Sequence, residues 1–164
     1  AANSIAALSQ TPVRVMIAGK VPEAYKDGLV VEDRVRIDWL GMVQHADIPE
    51  LDRSAHLFFP AEINAACPNS LIEALACGLP IIAYATGSLP ELVGEDGGLV
   101  VPYNGDYWNL EEPQSAPLAK AALEILQHHA QFQKSARTRA EEHFSTEEMV
   151  EKYRHMLLDP LSNA

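Results

Sequence analysis

Cationic side chains are scarce in this sequence. Twelve Lys and Arg stand against 23 Asp and Glu, a formal net charge of −11 over 164 residues. Nucleic acids and anionic lipid surfaces are held by dense fields of Lys and Arg, so neither is an expected partner. Cysteine is scarcer still. Cys67 and Cys77 are the only two, and their spacing is neither a disulfide framework nor a C-x-x-C pair. A reducing, cytoplasmic setting is the expectation. Long apolar runs are also missing. Leu57-Phe58-Phe59 and Leu99-Val100-Val101 fall far short of a bilayer span, and no basic stretch followed by an apolar one opens the chain. Neither an integral membrane segment nor a signal peptide is expected. Metal-type spacing is absent too. His128 and His129 are adjacent, so on a helix they diverge by about 100°. His45, His56, His143 and His155 show no zinc-like intervals, so no metal is expected.

What remains is ordinary for a globular domain: 48% apolar and 21% charged residues, enough for one core. The length suits one domain over 1–164, and the opening Ala1-Ala2-Asn3, without an initiator Met, predicts a fragment. Short β-type runs alternate with helical ones. Val13-Arg14-Val15-Met16-Ile17-Ala18 and Arg34-Val35-Arg36-Ile37-Asp38-Trp39-Leu40 have period-two β-branching, and each stops at a glycine. His56-Leu57-Phe58-Phe59, Ile81-Ile82-Ala83-Tyr84-Ala85 and Leu99-Val100-Val101 are apolar without alternation, as strands covered on both faces are. Residues 1–10 read as the tail of a helix feeding the first strand. Asp47-Ile48-Pro49-Glu50-Leu51 opens a helix, and another runs from Asn69 to Cys77, closed by Gly78 and Pro80. Ser88-Leu89-Pro90-Glu91 and Ser145-Thr146-Glu147-Glu148 have capping-box spacing. Residues 116–158 carry no strand signal and read as two or three helices broken near Phe144-Ser145. The pattern predicts an α/β, Rossmann-like fold: a doubly wound parallel sheet with C-terminal helices.

Open α/β sheets bind ligands beyond the carboxyl ends of their strands, and the longest such loop spans residues 60–70. It turns into a helix whose first residues are Asn69, Ser70 and Leu71. Free N–H groups at such a start, with the helix dipole behind them, attract phosphate or carboxylate. Glu73 has two readings. In one it completes a capping box with Ser70 as N-cap. In the other its two oxygens clasp a vicinal diol such as a ribose. Cys77 is expected to pack in the core, and Cys67, ahead of a helix start, has no sequence-near His to activate it. Trp39 and Trp108 read as packing residues, with Tyr107-Trp108 able to line a rim. A phosphorylatable receiver domain is excluded, since Gly19-Lys20 and Pro60-Ala61 stand where its carboxylates would be.

Three motifs in order carry a family resemblance: Cys67-Pro68-Asn69-Ser70-Leu71-Ile72-Glu73-Ala74-Leu75-Ala76-Cys77-Gly78-Leu79-Pro80, then Gly87-Ser88-Leu89-Pro90-Glu91-Leu92-Val93, then Gly97-Gly98-Leu99-Val100-Val101-Pro102. Together they resemble the C-terminal half of family 4 retaining glycosyltransferases of the GT-B fold. The resemblance covers residues 13–101 well and the C-terminal helices loosely. It implies a nucleotide-sugar donor as partner, an acceptor bound by a separate N-terminal domain, and no cofactor beyond the donor. Glu73 matches the second carboxylate of the family's E-x7-E motif, which holds the donor ribose. Asn69, Ser70 and Leu71 match the helix start facing the diphosphate. Leu40, Gly41 and Met42 match the nucleobase loop, and Gly87 and Ser88 the glycine pair near the sugar.

Two departures qualify it. Eight residues before Glu73 stands Ala65 rather than Glu, with Glu62 and Asn64 nearby as substitutes for the carboxylate that touches the transferred sugar. Family domains also open with a glycine-rich strand and a helix that bring an Arg and a Lys to the diphosphate, and the chain is expected to start after them. Residues 54–119 contain no Lys or Arg. Helix ends contribute about 0.3–1 kcal/mol when exposed, against roughly 1.5–3 kcal/mol for a hydrogen bond to a charged group. Lys20 is the one candidate cation, and the isolated chain is expected to bind donor weakly and to be inactive. The expected activity of the whole protein is hexosyl transfer to a hydroxyl. The alternatives are half of a nucleotide-sugar 2-epimerase, or a non-catalytic module binding a nucleotide or partner. No catalytic residue is assigned.

Overall fold

The computed structural model describes residues 1–158; the last six positions of the 1–164 domain lie outside it. The two alternating runs form a parallel pair. β1 (Val13–Ala18) lies beside β2 (Val35–Gly41) with Val13 opposite Val35, and the register slips so that Ala18 faces Gly41. On the exposed face Arg14 and Arg36 both reach the Asp38 carboxylate, which their hydrogen bonds hold below the usual carboxylate range. The apolar runs give a second parallel pair, β3 (Ile81–Tyr84) with β4 (Gly98–Val101), and every residue of β3 is buried.

Period two explains that burial. Ile81 and Ala83 face a layer made by α4 (Asn69–Ala76), α5 (Leu89–Val93) and α7 (His129–His143), where Leu71, Leu75, Leu89, Val93 and Ala136 pack. Ile82 and Tyr84 face the other layer, with Leu118, Ala122 and Ile125 of α6 (Ser115–Gln127). Helices on both faces of parallel strands make the fold α/β and Rossmann-like. The remaining helices are α1 (Ala2–Ser9), α2 (Glu23–Asp27), α3 (Ile48–Arg53) and α8 (Thr146–Leu158), which buries none of its residues. The break before α8 falls at Phe144-Ser145, as the pattern predicts. Among the described residues no helix is long and apolar enough to cross a membrane.

One expectation is corrected. Residues 56–59 do not form a full strand, and the sheet is two parallel pairs rather than one continuous ladder. A single rung survives: the Phe58 N–H donates to Pro80 O (2.9 Å) and the Ile82 N–H to Phe58 O (2.9 Å). A groove of about 570 Å³ separates residues 56–59 from β1, lined by apolar side chains that include Ile5 of α1, Val13, Val15, Leu57, Phe59 and Ile82. Among the described residues no strand fills that groove, and Pro60, without an N–H, ends the pairing of 56–59 with β3.

Arg139 of α7 ties the C-terminal helices to the second pair. Its guanidinium donates to Leu92 O (2.6 Å), Glu91 O (2.7 Å) and Asp96 Oδ1 (3.0 Å), closing the end of α5. Its side chain is 13% exposed, so these bonds form largely out of water. Replacing it leaves helix-end carbonyls without a donor. Arg139→Met should lower unfolding free energy by about 2–4 kcal/mol, read from urea denaturation, because hydrogen bonds to charged groups are worth more than neutral ones.

Candidate functional site

The helix start is the first element of the site. Pro68, in extended conformation, is the N-cap of α4, and no side chain caps it. Ser70 therefore lies inside the helix, and the capping box with Glu73 does not form. The Leu71 N–H donates to Pro68 O (3.1 Å), while the Asn69 and Ser70 N–H groups find no acceptor among the described residues. Both residues are exposed, whereas the Leu71 side chain is fully buried. Leu71 thus anchors the helix, and its two exposed neighbours present the free donors.

Glu73 is freed from capping duty. Its side chain is 38% exposed, and Oε1 lies 3.2 Å from Nε2 of His45. His45 opens a 3₁₀ turn (His45–Asp47) just after β2, so this pair joins the loop carrying Leu40, Gly41 and Met42 to α4. Leu40 is 37% exposed and Met42 71%. Gly41 has φ 64°, the left-handed conformation that favours glycine, and its carbonyl accepts the Gly19 N–H at 2.7 Å. That bond sets exposed Lys20 on the same strand-end edge. His45 escaped the sequence reading, where it counted only as a metal candidate; its place just after the second strand was the available signal.

The loop ahead of α4 is pinned from the opposite side. Ser88 donates twice to Ala65 O, from its N–H and its hydroxyl, both at 2.9 Å. The Ser88 hydroxyl is thereby spent on the loop rather than on capping α5, which has no side-chain cap. Gly87 permits the approach: a Cβ there would stand 2.5 Å from Ala65 O and 2.7 Å from Asn64 C. Ala65 is 6% exposed and packs in the core around Leu71 and Leu89. The Ala65 side chain thus faces the core and not solvent. Glu62 is exposed earlier in the same loop, and Asn64 adopts a left-handed φ of 61°. Glu73, Asn69 and Ser70 therefore share one helix with the His45 turn beside it, while Gly87 and Ser88 contact the loop and Glu62 stays at its rim.

Asp52 was also missed. It is 8% exposed on α3, and its Oδ2 is buried with no hydrogen-bond partner. Burial, then the nearby Glu73 charge, pushes its pKa up to about 6, against an opposing pull from Arg53. Cys77 lies close enough to feel the same carboxylate, and burial first, then Asp52, raises its thiol pKa. Cys67 is exposed and free. Among the described residues no group of three or more His, Cys, Asp or Glu converges to hold a metal.

The profile of the family described as "Glycosyl transferases group 1" matches residues 1–128. The chain belongs to this family. Among curated proteins it is 30% identical over 86 residues to the phosphatidylinositol N-acetylglucosaminyltransferase gpi3 subunit of Schizosaccharomyces pombe, covering 49% of this chain and 18% of that protein. It is 36% identical over 78 residues to O-antigen chain mannosyltransferase B of Escherichia coli, covering 46% of this chain and 20% of that one. Among solved structures, sucrose-phosphate synthase from Thermosynechococcus elongatus superposes with a TM-score of 0.65 at 27% identity, over 96% of this chain and 42% of its own. Anabaena Alr3699/HepE, crystallised in complex with UDP-glucose, superposes with 0.64 at 25%, over 94% of this chain and 44% of its own. This group 1 chain thus spans less than half the length of each of these relatives, and one of them holds a nucleotide sugar.

The buried Asp52 makes stability depend on pH. A carboxyl near 3.8 when unfolded and about 6 when folded binds its proton more tightly in the fold. Stability therefore falls as pH rises from about 4 to 6, and the whole penalty is present above that. Asp52→Asn should stabilise the domain by about 1–3 kcal/mol at pH 8, and the gain should vanish near pH 4, read from urea midpoints at both values.

Proposed function

We propose that this chain is the donor-binding half of a family 4 retaining glycosyltransferase of the GT-B fold. In this reading the whole protein moves a hexose from a nucleotide sugar to a hydroxyl acceptor held by a separate N-terminal domain. The observation that carries it is Glu73: a half-exposed carboxylate with no capping role, on the helix whose Asn69 and Ser70 N–H groups are free. A ribose diol donates two hydroxyl hydrogens to such a carboxylate. The diphosphate then lies toward the start of α4, where free N–H groups and the dipole stabilise its charge as the sugar–phosphate bond lengthens. Leu40, Gly41 and Met42 offer backbone and apolar contact to the base, and His45 holds the Glu73 carboxylate at the edge of that pocket.

The empty groove beside β1 supports the fragment reading. α1 lines the groove and runs directly into β1, the arrangement of the second half of a βαβ unit whose first strand would lie in the groove. The same missing portion would bring the cations that residues 54–119 lack. Free thiols at Cys67 and Cys77 favour a reducing, cytoplasmic setting.

A second reading has its own observation. With Ala65 buried where the motif has a carboxylate, a module that binds the donor without transferring its sugar is the alternative. One variant tests the donor reading. In the intact protein carrying this chain, Glu73→Gln should weaken calorimetric binding of the best of UDP, GDP and ADP by about ten- to a hundredfold, as losing a charge-assisted hydrogen bond does. The melting midpoint should hold. Equal affinity in variant and parent would refute the ribose clasp. Tight binding with no sugar transfer or donor hydrolysis in the parent would favour the non-catalytic module.

A further inference from the structure

Five aromatic rings run in sequence along the carboxyl ends of the strands and finish in solvent. Phe59 meets Tyr84 edge-on with ring centroids 6.2 Å apart, Tyr84 meets Tyr103 at 5.4 Å, Tyr103 meets Tyr107 at 5.9 Å, and Tyr107 meets Trp108 at 5.4 Å. Tyr84 and Tyr103 are buried, and Trp108 is 76% exposed. The row begins at the threshold of the 60–70 loop and ends beyond β4, so both ends lie on the edge where an open α/β sheet takes its ligands.

The backbone that carries the exposed indole is held in place. The Asp106 carboxylate accepts the backbone N–H groups of Trp108 (2.9 Å) and Asn109 (3.2 Å) and the Asn109 side-chain amide (2.7 Å). These bonds, Asn109 first, keep its carboxyl below the usual range. The Asp106 N–H donates to the Glu111 carboxylate (2.8 Å), and the Tyr103 hydroxyl donates to the Glu111 carbonyl (2.5 Å). Asn104 and Leu110 both sit at φ 55°, a backbone that non-glycine residues adopt at some cost. The loop is thus bonded at its base and displays Trp108 at its tip.

Size and charge choose the occupant. A stable protein partner needs roughly 800 Å² on each side, whereas one indole offers about 150–250 Å². Anions are disfavoured at this loop, because residues 102–112 hold no Lys or Arg but include Asp106, Glu111 and Glu112. A neutral pyranose fits both conditions: its C–H face lies on the electron-rich ring face and its hydroxyls donate to nearby carboxylates. We propose that the 102–112 loop is a platform on which Trp108 stacks a neutral pyranose unit of a glycan. The platform does not depend on the Glu73 reading, since it needs no nucleotide.

The test uses the intact protein with indole-labelled tryptophan, maltotetraose and mannotetraose as neutral probes, and a sulfated dextran as the anionic one. Either neutral saccharide at millimolar concentration should shift the Trp108 indole signal and leave that of Trp39 in place. Trp108→Ala should weaken saccharide binding about tenfold, Trp108→Tyr should restore most of it, and UDP affinity should be unchanged in both. Three results would overturn the proposal: no shift with either neutral probe, equal affinity in the alanine variant, or a shift with the sulfated probe alone. A Trp108 already shielded from acrylamide quenching before saccharide is added would also overturn it, marking the ring as an intramolecular contact. A parent protein that shows the saccharide shift but binds no UDP would count against the donor reading alone.

Discussion

The site depends on one carbonyl. Ala65 O accepts two hydrogen bonds from Ser88, and Gly87 lets the two loops touch where any Cβ would collide. That contact locks the segment entering α4 to the segment leaving β3. Leu71 and Leu75, fully buried beneath, lock α4 itself, each contributing about 1.5–3 kcal/mol by burial. The free N–H groups of Asn69 and Ser70 and the carboxylate of Glu73 therefore stand on a rigid element, which is what precise ligand geometry requires.

Electrostatics set the limits of what this chain does by itself. Its candidate site combines helix-end dipoles with an acidic surround, with Arg53 of α3 a cation close enough to act on Asp52. Dipoles alone hold an anion less strongly than a charged side chain does. Asp52 compounds this. Its buried, unpartnered oxygen and raised pKa add a costly carboxyl beneath Glu73. A protein that keeps such a group near its ligand edge sacrifices stability there, as functional regions often do.

The split sheet and the groove are two views of the same fact. The 56–59 segment keeps one rung against β3, and Pro60, which has no N–H, cannot extend it. The two runs also differ locally: residues 56–59 open on His56, carry no β-branched residue and run into Pro60, whereas β3 opens on Ile81-Ile82.

The sequence by itself determined the alternation of elements, the two-faced burial of β3, the helix beginning at Asn69 and its place after the longest strand-end loop. Each follows from short-range periodicity and from Gly and Pro punctuation, which act within a few residues. Tertiary structure alone decided that Ser70 and Glu73 do not cap, because Pro68 took the N-cap. It alone decided that Ser88 serves the 64–65 loop, that His45 meets Glu73 across 28 positions, and that Asp52 is buried without a partner. All of these are matters of which polar group lies within about 3 Å of which other. Chain spacing does not encode such distances; packing does.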